Sequence, residues 1–399
     1  MNDDRDTIYN LPPVYNRVEK HGVFPEISHD ENARFNFLTS LNRHLNRLVE
    51  PGAKAVFEKR VKPGFDAQTG RRFVSVDDIQ QAMRKEPLYQ LGSALQRSAI
   101  EMIQQASRSV VLRQVDELTE KAQHYNNQRP ETLRLDPAIE IPRYLEMIDQ
   151  GCMPGSYYTE YRQDDVTNAA NYDASQFLIT DGRLGKRSDA IGRGLVSWLQ
   201  LNYPKFSPVR ILDIGCGIGH NTMPVAKGYP DAEVIGVDVS APMLRYGHAR
   251  SVAHNVNNVT FWQADAERLP FANNSFDLLF TTRFLHTIST QAAEAIFQEI
   301  YRILKPNGLM LHIDQVDYPA DIPLFDQFMN NWRALANNEP YGIVMNQKAI
   351  DKWLQSAGFT ETNRLRFGIE IPSEDNSLLA EVGIQHGETQ IQHAFGAWK

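Results

Sequence analysis

Val209-Arg210-Ile211-Leu212-Asp213-Ile214-Gly215-Cys216-Gly217-Ile218-Gly219-His220 is a short apolar run that ends in an acid and three alternating glycines. Such a run reads as a buried strand entering a tight turn, and the segments downstream of it settle the fold class. Four more apolar runs lie at Val234–Asp238, Val259–Trp262, Phe276–Phe280 and Leu309–Ile313. Helical patterns over Asn221–Gly228, Ala241–Asn255 and Thr290–Leu304 separate most of them. Alternating strands and helices with apolar strands predict a mostly parallel α/β sheet covered by helices on both faces. Ligands of such sheets bind beyond the carboxyl ends of the strands, so the informative residues are those just after each strand.

The composition narrows the classes. The 399 residues carry 41 Lys+Arg against 49 Asp+Glu, a formal charge of −8, with 42% hydrophobic residues. A net acidic chain without a basic face argues against nucleic acid as partner, and the locally basic Lys54–Arg72 reads as a solvated helix and turn rather than a phosphate-binding patch. Two cysteines, Cys152 and Cys216, make no disulfide framework, and the polar start Met1-Asn2-Asp3-Asp4-Arg5-Asp6 lacks a signal-peptide core. No stretch reaches the ~20 apolar residues of a membrane helix. These features predict a cytoplasmic protein with a small-molecule partner, no membrane, no nucleic acid and no metal.

Upstream of the sheet the chain reads as helical. The first ~30 residues, with Pro12 and Pro13, read as an extended arm lying on something else. Leu38, Leu41, Leu45 and Leu48 predict a helix from Asn32 to about Val49, ended by Pro51-Gly52. Ser75 precedes Asp77 and Asp78 as a helix cap. The strongest helical pattern runs from Leu88 to Ala122, with Met102 expected as core filler, as is Met147 further on. Residues from Ala122 to Pro137 read as a linker. Residues 1–150 are therefore an all-helical region, a cap or a dimerisation module pairing two chains as a homodimer. Residues 151–190 form a connecting segment whose Tyr157, Tyr158 and Tyr172 are candidates for closing over a ligand and contacting substrate. Cys152 in its turn reads as an inert thiol.

Residues 191–399 hold the chemistry. Asp213-Ile214-Gly215-Cys216-Gly217-Ile218-Gly219 is a D-x-G-x-G-x-G turn, while a dinucleotide fingerprint would need glycine where this chain has His220. Asp238 ends the second strand, where a carboxylate can accept the two hydroxyls of a ribose, and Asp265 with Ala266 follows the third. Leu269-Pro270-Phe271-Ala272-Asn273-Asn274-Ser275-Phe276-Asp277 precedes the fourth, and Arg302-Ile303-Leu304-Lys305-Pro306-Asn307-Gly308 precedes the fifth.

Taken together, these motifs resemble the class I S-adenosylmethionine-dependent methyltransferases, in particular the small-molecule, methyltransferase type 11-like subgroup. The resemblance covers about Leu195 to Ile371. It departs at Asn307, usually glycine, and at Pro224 early in the first helix. It implies a Rossmann-like sheet of seven strands, mostly parallel with an antiparallel last strand, closed by Thr360–Ile371 and Gln392–Lys399. The implied cofactor is S-adenosyl-L-methionine. Gly215 and Gly217 would pass its methionine portion, Asp213 would orient the loop or the amino group, and Asp238 would hold the ribose. Met243 would pack on the adenine and Asp265 would bond its amino group, with Cys216, Ala266 and Thr281 as further contacts.

Methyl transfer is an in-line displacement in which the protein aligns the nucleophile, excludes water and removes a proton where one must leave. His286 is the general-base candidate and Asp314 the weaker one. Arg283 is a candidate to hold a substrate carboxylate or to pair with Asp314. An insertion at 319–345 carries Phe325, Phe328 and Trp332 on one helical face; it is expected to roof the site, with Phe325 and Trp332 against the substrate. The expected reaction moves the sulfonium methyl to an O, N, S or C atom of a small metabolite. The alternative is non-methyl chemistry of the same cofactor, aminocarboxypropyl transfer or cyclisation, with release of methylthioadenosine.

Overall fold

The apolar runs become strands. The computed structural model describes residues 14–314, 322–344, 347–371 and 390–399. Pro12 and Pro13 of the expected arm, and both ends of the 319–345 insertion, lie outside the described residues. The strands are β1 (Leu133–Arg134), β2 (Arg210–Ile214), β3 (Glu233–Asp238), β4 (Val259–Gln263), β5 (Phe276–Thr282), β6 (Leu304–Ile313), β7 (Arg364–Ile371) and β8 (Gln390–Trp398). They form one sheet in the order β1-β4-β3-β2-β5-β6-β8-β7. Strands β1 to β6 pair in parallel, and β8 runs antiparallel between β6 and β7. The family resemblance implies seven strands; the eighth is β1, whose Leu133 and Arg134 pair with Phe261 and Trp262. Two residues carry no periodicity to read, and this edge strand lies in what reads as a linker. The Arg134 guanidinium stacks on the Trp262 ring at 4.5 Å, which anchors it.

The helices in chain order are α1 (His29–Val56), α2 (Lys62–Thr69), α3 (Val76–Met83), α4 (Pro87–Leu112), α5 (Val115–Asn126), α6 (Arg143–Glu146), α7 (Thr167–Ile179), α8 (Ala190–Asn202), α9 (Thr222–Gly228), α10 (Ala241–Ala253), α11 (Thr290–Ile303), α12 (Leu324–Ala336) and α13 (Gln347–Ala357). Ser28 and Glu31 form a reciprocal capping box at the start of α1, and Ser75 accepts from Asp78 N–H at the start of α3. Pro51 does not end α1. The helix runs through it, because Leu45, Val49, Ala53 and Phe57 keep one buried face across the proline, and a π turn over Phe57–Val61 follows. Pro224 sits in the first turn of α9, where no backbone donor is lost. Asn307 has φ +61°, the left-handed conformation that asparagine tolerates better than most residues other than glycine.

The later motifs hold the sheet rather than a ligand. Arg302 donates to the carbonyls of Leu269 (3.1 Å) and Phe271 (2.7 Å) and pairs with Glu299, while Lys305 pairs with Asp277 at 2.8 Å. Those contacts stitch the loop before β5 to the end of α11.

The helical half shares its core with the sheet domain. Leu118 and Ala122 of α5, Val166 and Ala170 around α7, and Met243 and Tyr246 of α10 form one buried cluster. A second cluster joins Val49 and Phe57 to Phe325, Phe328 and Trp332 of α12. The residue boundaries at 150 and 190 therefore do not separate cores. Met102 and Met147, expected as core filler, are 40% and 70% exposed; α1 and α7 cover only part of α4's wide apolar stripe. Among the described residues no helix is long and apolar enough to cross a membrane, and no metal-binding group of side chains occurs.

Candidate active site

One cavity opens at the carboxyl ends of the parallel strands, about 1200 Å³ together with the open solvent at its mouth. Its floor is the glycine turn after β2. Gly215, Gly217 and Gly219 have φ of +70°, +51° and +74°, and the N–H groups of Gly215 and Cys216 both donate to Val237 C=O. A Cβ at Gly215 would collide with the Phe284 ring, so this position needs glycine for space as well as for conformation.

Asp238, at the end of β3, accepts from Gly217 N–H at 2.9 Å and from Ser240 N–H at 3.0 Å. Burial raises its carboxyl above the usual range while these backbone donors hold it down. Ser240 caps α10 through Met243 N–H, which brings Met243 to the same wall. Asp265 and Ala266 follow β4 and also line the cavity, and Asp265 accepts from Glu267 N–H. Gly215, Cys216, Gly217, Asp238, Met243, Asp265 and Ala266 are thus brought together.

Two expected residues lie elsewhere. Asp213 sits beneath the turn, out of the cavity lining, with Oδ2 accepting from Thr222 Oγ1 at 2.6 Å and Oδ1 buried without a partner. Burial, reinforced by Asp238, pushes its carboxyl up to about 8. Thr281 points to the opposite face of β5, where it meets His312 Nδ1 at 2.7 Å; Thr282 lines the cavity instead. Side chains alternate along a strand, and that parity was the signal available to choose between them.

The second wall comes from the connecting segment. Tyr157, Tyr158 and Tyr172 line the cavity, as do Tyr144, Leu145, Gln150 and Ser156, which sequence reasoning did not single out. Tyr157 and Tyr172 meet edge to face at 5.6 Å, Ser240 Oγ donates to Tyr157 C=O, and Gln150 Nε2 donates to Thr287 C=O. Arg283, at φ +53°, Phe284, Thr287 and Ile288 complete the space after β5.

The expected base and roof residues do not reach the cavity. His286 lies behind its wall, with Nδ1 2.8 Å from Asp314 Oδ1 and Nε2 3.7 Å from Glu339 Oε1. Burial lowers its pKa, but the two carboxylates outweigh burial and the net shift is upward. Asp314 at the end of β6 draws the imidazole toward the sheet, so neither residue faces the cavity and Arg283 does not pair with Asp314. Phe325 and Trp332 face α1 and α4; Phe325 stacks on Phe57 at 4.6 Å and Trp332 Nε1 donates to Ser93 Oγ at 2.8 Å. The region after α12 braces the cavity from outside, with Asn338 donating to Asp149 C=O and Tyr341 to Tyr144 C=O.

Residues 211–308 match a family model described as a methyltransferase domain. Among curated proteins, the malonyl-[acyl-carrier protein] O-methyltransferase of Legionella pneumophila is 35% identical over 129 residues, 32% of this chain and 43% of that protein. The demethylmenaquinone methyltransferase of Symbiobacterium thermophilum is 29% identical over 175 residues, 38% of this chain and 69% of that protein. The chain thus spans less than half the length of the first of these relatives. A solved structure of Bacillus subtilis YcgJ matches at 20% identity with a TM-score of 0.36, over 51% of this chain and 97% of that one.

Proposed function

We propose that this chain, whose residues 211–308 form a class I S-adenosylmethionine-dependent methyltransferase domain, moves the sulfonium methyl of that cofactor to an O, N, S or C atom of a small metabolite. The observation that carries the reading is the meeting of the glycine turn, Asp238 and Asp265 in one cavity that continues into a tyrosine-lined space.

The residues fit the cofactor on chemistry and on shape. Asp238 and Asp265 are acceptors suited to a ribose diol and an adenine amino group. Met243 offers a flat apolar contact, and Gly215 and Gly217 leave the backbone bare for the methionine portion, with Cys216 and Ala266 as adjoining walls. S-adenosylmethionine, when bound, supplies the activated methyl group and a good leaving group. The chain's own task is to bind, align and exclude water. Tyr157, Tyr158, Tyr172 and Arg283 are assigned to the acceptor. His286 and Asp314 are positioning residues: their bond fixes the turn that carries Arg283, Phe284 and Thr287.

The helical half is assigned as the roof over this space. Its exposed Leu88, Leu91 and Leu95 on one face of α4 support pairing of two chains, which sedimentation velocity tests. Two unbridged, buried cysteines suit a reducing, cytoplasmic setting.

The test is calorimetry with S-adenosylhomocysteine, followed by product analysis. Asp238→Asn keeps one acceptor for the loop amides but loses the charge, and a roughly tenfold or greater loss of affinity is expected. No heat of binding in the unsubstituted protein would refute the assignment, and methylthioadenosine as the turnover product would replace methyl transfer with the other chemistry.

A further inference from the structure

We propose that the tyrosine-lined part of the cavity is an oxyanion subsite, in which Arg283 holds a carboxylate or phosphate of the acceptor. The inference rests on the methyltransferase reading, because it assigns the space beside the cofactor cradle to the acceptor.

The first observation is a cation without a partner. Arg283 is partly buried in the cavity wall, and among the described residues nothing hydrogen-bonds or ion-pairs with its guanidinium. Three other partly buried arginines carry a carboxylate, Arg302 with Glu299, Arg210 with Glu233 and Arg245 with Glu160. Arg43 and Arg108, like Arg283, pair with none among the described residues; of these last three, Arg283 alone lines the cavity. Its planar fork matches a carboxylate or phosphate. The acid at the neighbouring strand end, Asp314, is taken by His286, and Glu339 lies against the other imidazole nitrogen.

The second observation is the backbone. Arg283 holds φ +53°, a conformation disfavoured for a long side chain, while its N–H donates to Ile313 C=O at 2.8 Å. Strain of this kind at a cavity wall marks a position where side-chain direction matters.

The third is the company it keeps. Tyr157 and Tyr172 line the same cavity as Arg283, and their hydroxyls make no hydrogen bond among the described residues. Ser156 Oγ, which also lines the cavity, is buried and has no partner among the described residues. Three neutral donors thus line the cavity that holds the guanidinium. The carboxylate of Asp238 stands across the glycine turn, because β5 and β3 flank β2 on opposite sides. Gln150 Oε1, also buried and without a partner among the described residues, can accept a hydrogen bond from a hydroxyl of the acceptor. Leu145, Phe284 and Ile288 supply an apolar body to the space.

The probes are benzoate, its neutral isostere benzamide, succinate and inorganic phosphate, each titrated into the full chain saturated with S-adenosylhomocysteine and followed by thermal shift and calorimetry. At least one anion is expected to bind where benzamide does not, and the anion that binds tells a carboxylate from a phosphate site. Arg283→Met should weaken that anion about tenfold while S-adenosylhomocysteine affinity stays within about twofold. Arg283→Lys should recover part of the response, because the charge returns without the fork. The proposal is overturned if no anion outbinds benzamide, or if Arg283→Met leaves the anion response intact. It is equally overturned if Arg283→Met costs tenfold in S-adenosylhomocysteine affinity, since the guanidinium would then hold the cofactor's own carboxylate. Absence of S-adenosylhomocysteine binding in the unsubstituted protein would instead defeat the methyltransferase reading.

Discussion

His220 Nε2 lies 2.9 Å from Asp173 Oδ1 inside the protein, and this bond ties the last residue of the glycine turn to α7. The other oxygen of Asp173 takes His21 Nε2 at 2.8 Å and the Tyr246 hydroxyl at 2.9 Å. Burial pushes the Asp173 carboxyl up, but Arg250 and the two histidines hold it well below the usual carboxylate range. One carboxylate thus joins the amino-terminal arm, the connecting helix, α10 and the cofactor turn. It also explains the histidine that stands where a dinucleotide fingerprint would have glycine.

Asp173→Ala should therefore act on stability and on binding together. Removing the acceptor strands three buried groups, which costs about 3 kcal/mol or more. Urea unfolding should show a lower midpoint with an unchanged slope, and calorimetry should show weaker S-adenosylhomocysteine binding. Unaltered binding would mean that the turn keeps its shape without this bond.

Two glycine substitutions separate space from conformation. Gly217→Ala meets nothing within 4 Å and should cost about 1 kcal/mol for its positive φ. Gly215→Ala meets the Phe284 ring and must displace it, so it should lose cofactor affinity far more severely. Equal affinities of the two variants would contradict the geometry of the Gly215–Phe284 contact.

Asp213 should remain protonated near neutrality. Its folded pKa of about 8 lies above the unfolded value of about 4, so the folded state binds the extra proton between these limits. Stability must then fall as pH rises from about 4 to about 8. Asp213→Asn, which mimics the protonated acid, should flatten that slope. Chemical denaturation of both proteins at pH 5, 6.5 and 8 measures it; parallel slopes would show that Asp213 is ionised throughout.

Trp332 should prove structural. Trp332→Ala empties a packed cluster and should cost about 3–5 kcal/mol. Trp332→Phe loses the bond to Ser93 and should cost about 1 kcal/mol. S-adenosylhomocysteine affinity should hold in the phenylalanine variant, and a large change in it would return Trp332 to the ligand site.

Much of the cavity floor was readable without coordinates, because its residues are local. Gly215, Gly217, Asp238 and Asp265 each lie at a strand end or within a few positions of one, and parallel pairing brings those ends to one edge. Thr281 shows the limit of that logic, since one step along a strand reverses the face. The acceptor side was far less readable. His286, Phe325 and Trp332 have the right residue types at helical or strand-end spacing, yet each is claimed by another element: Asp314 and Glu339 take the imidazole, and α1 and α4 take the aromatics.

The amino-acid sequence alone determined the parallel sheet, the glycine turn, the strand-end acids and the class of cofactor, because short-range patterning and strand polarity dictate them. Only the tertiary structure decided how residues 14–190 pack beside that sheet. Asp173 reaches His220 across 47 positions and Tyr246 across 73, and Leu133 of an edge strand finds Phe261. Contacts over such separations depend on how whole faces pack, and no spacing rule within one segment encodes them.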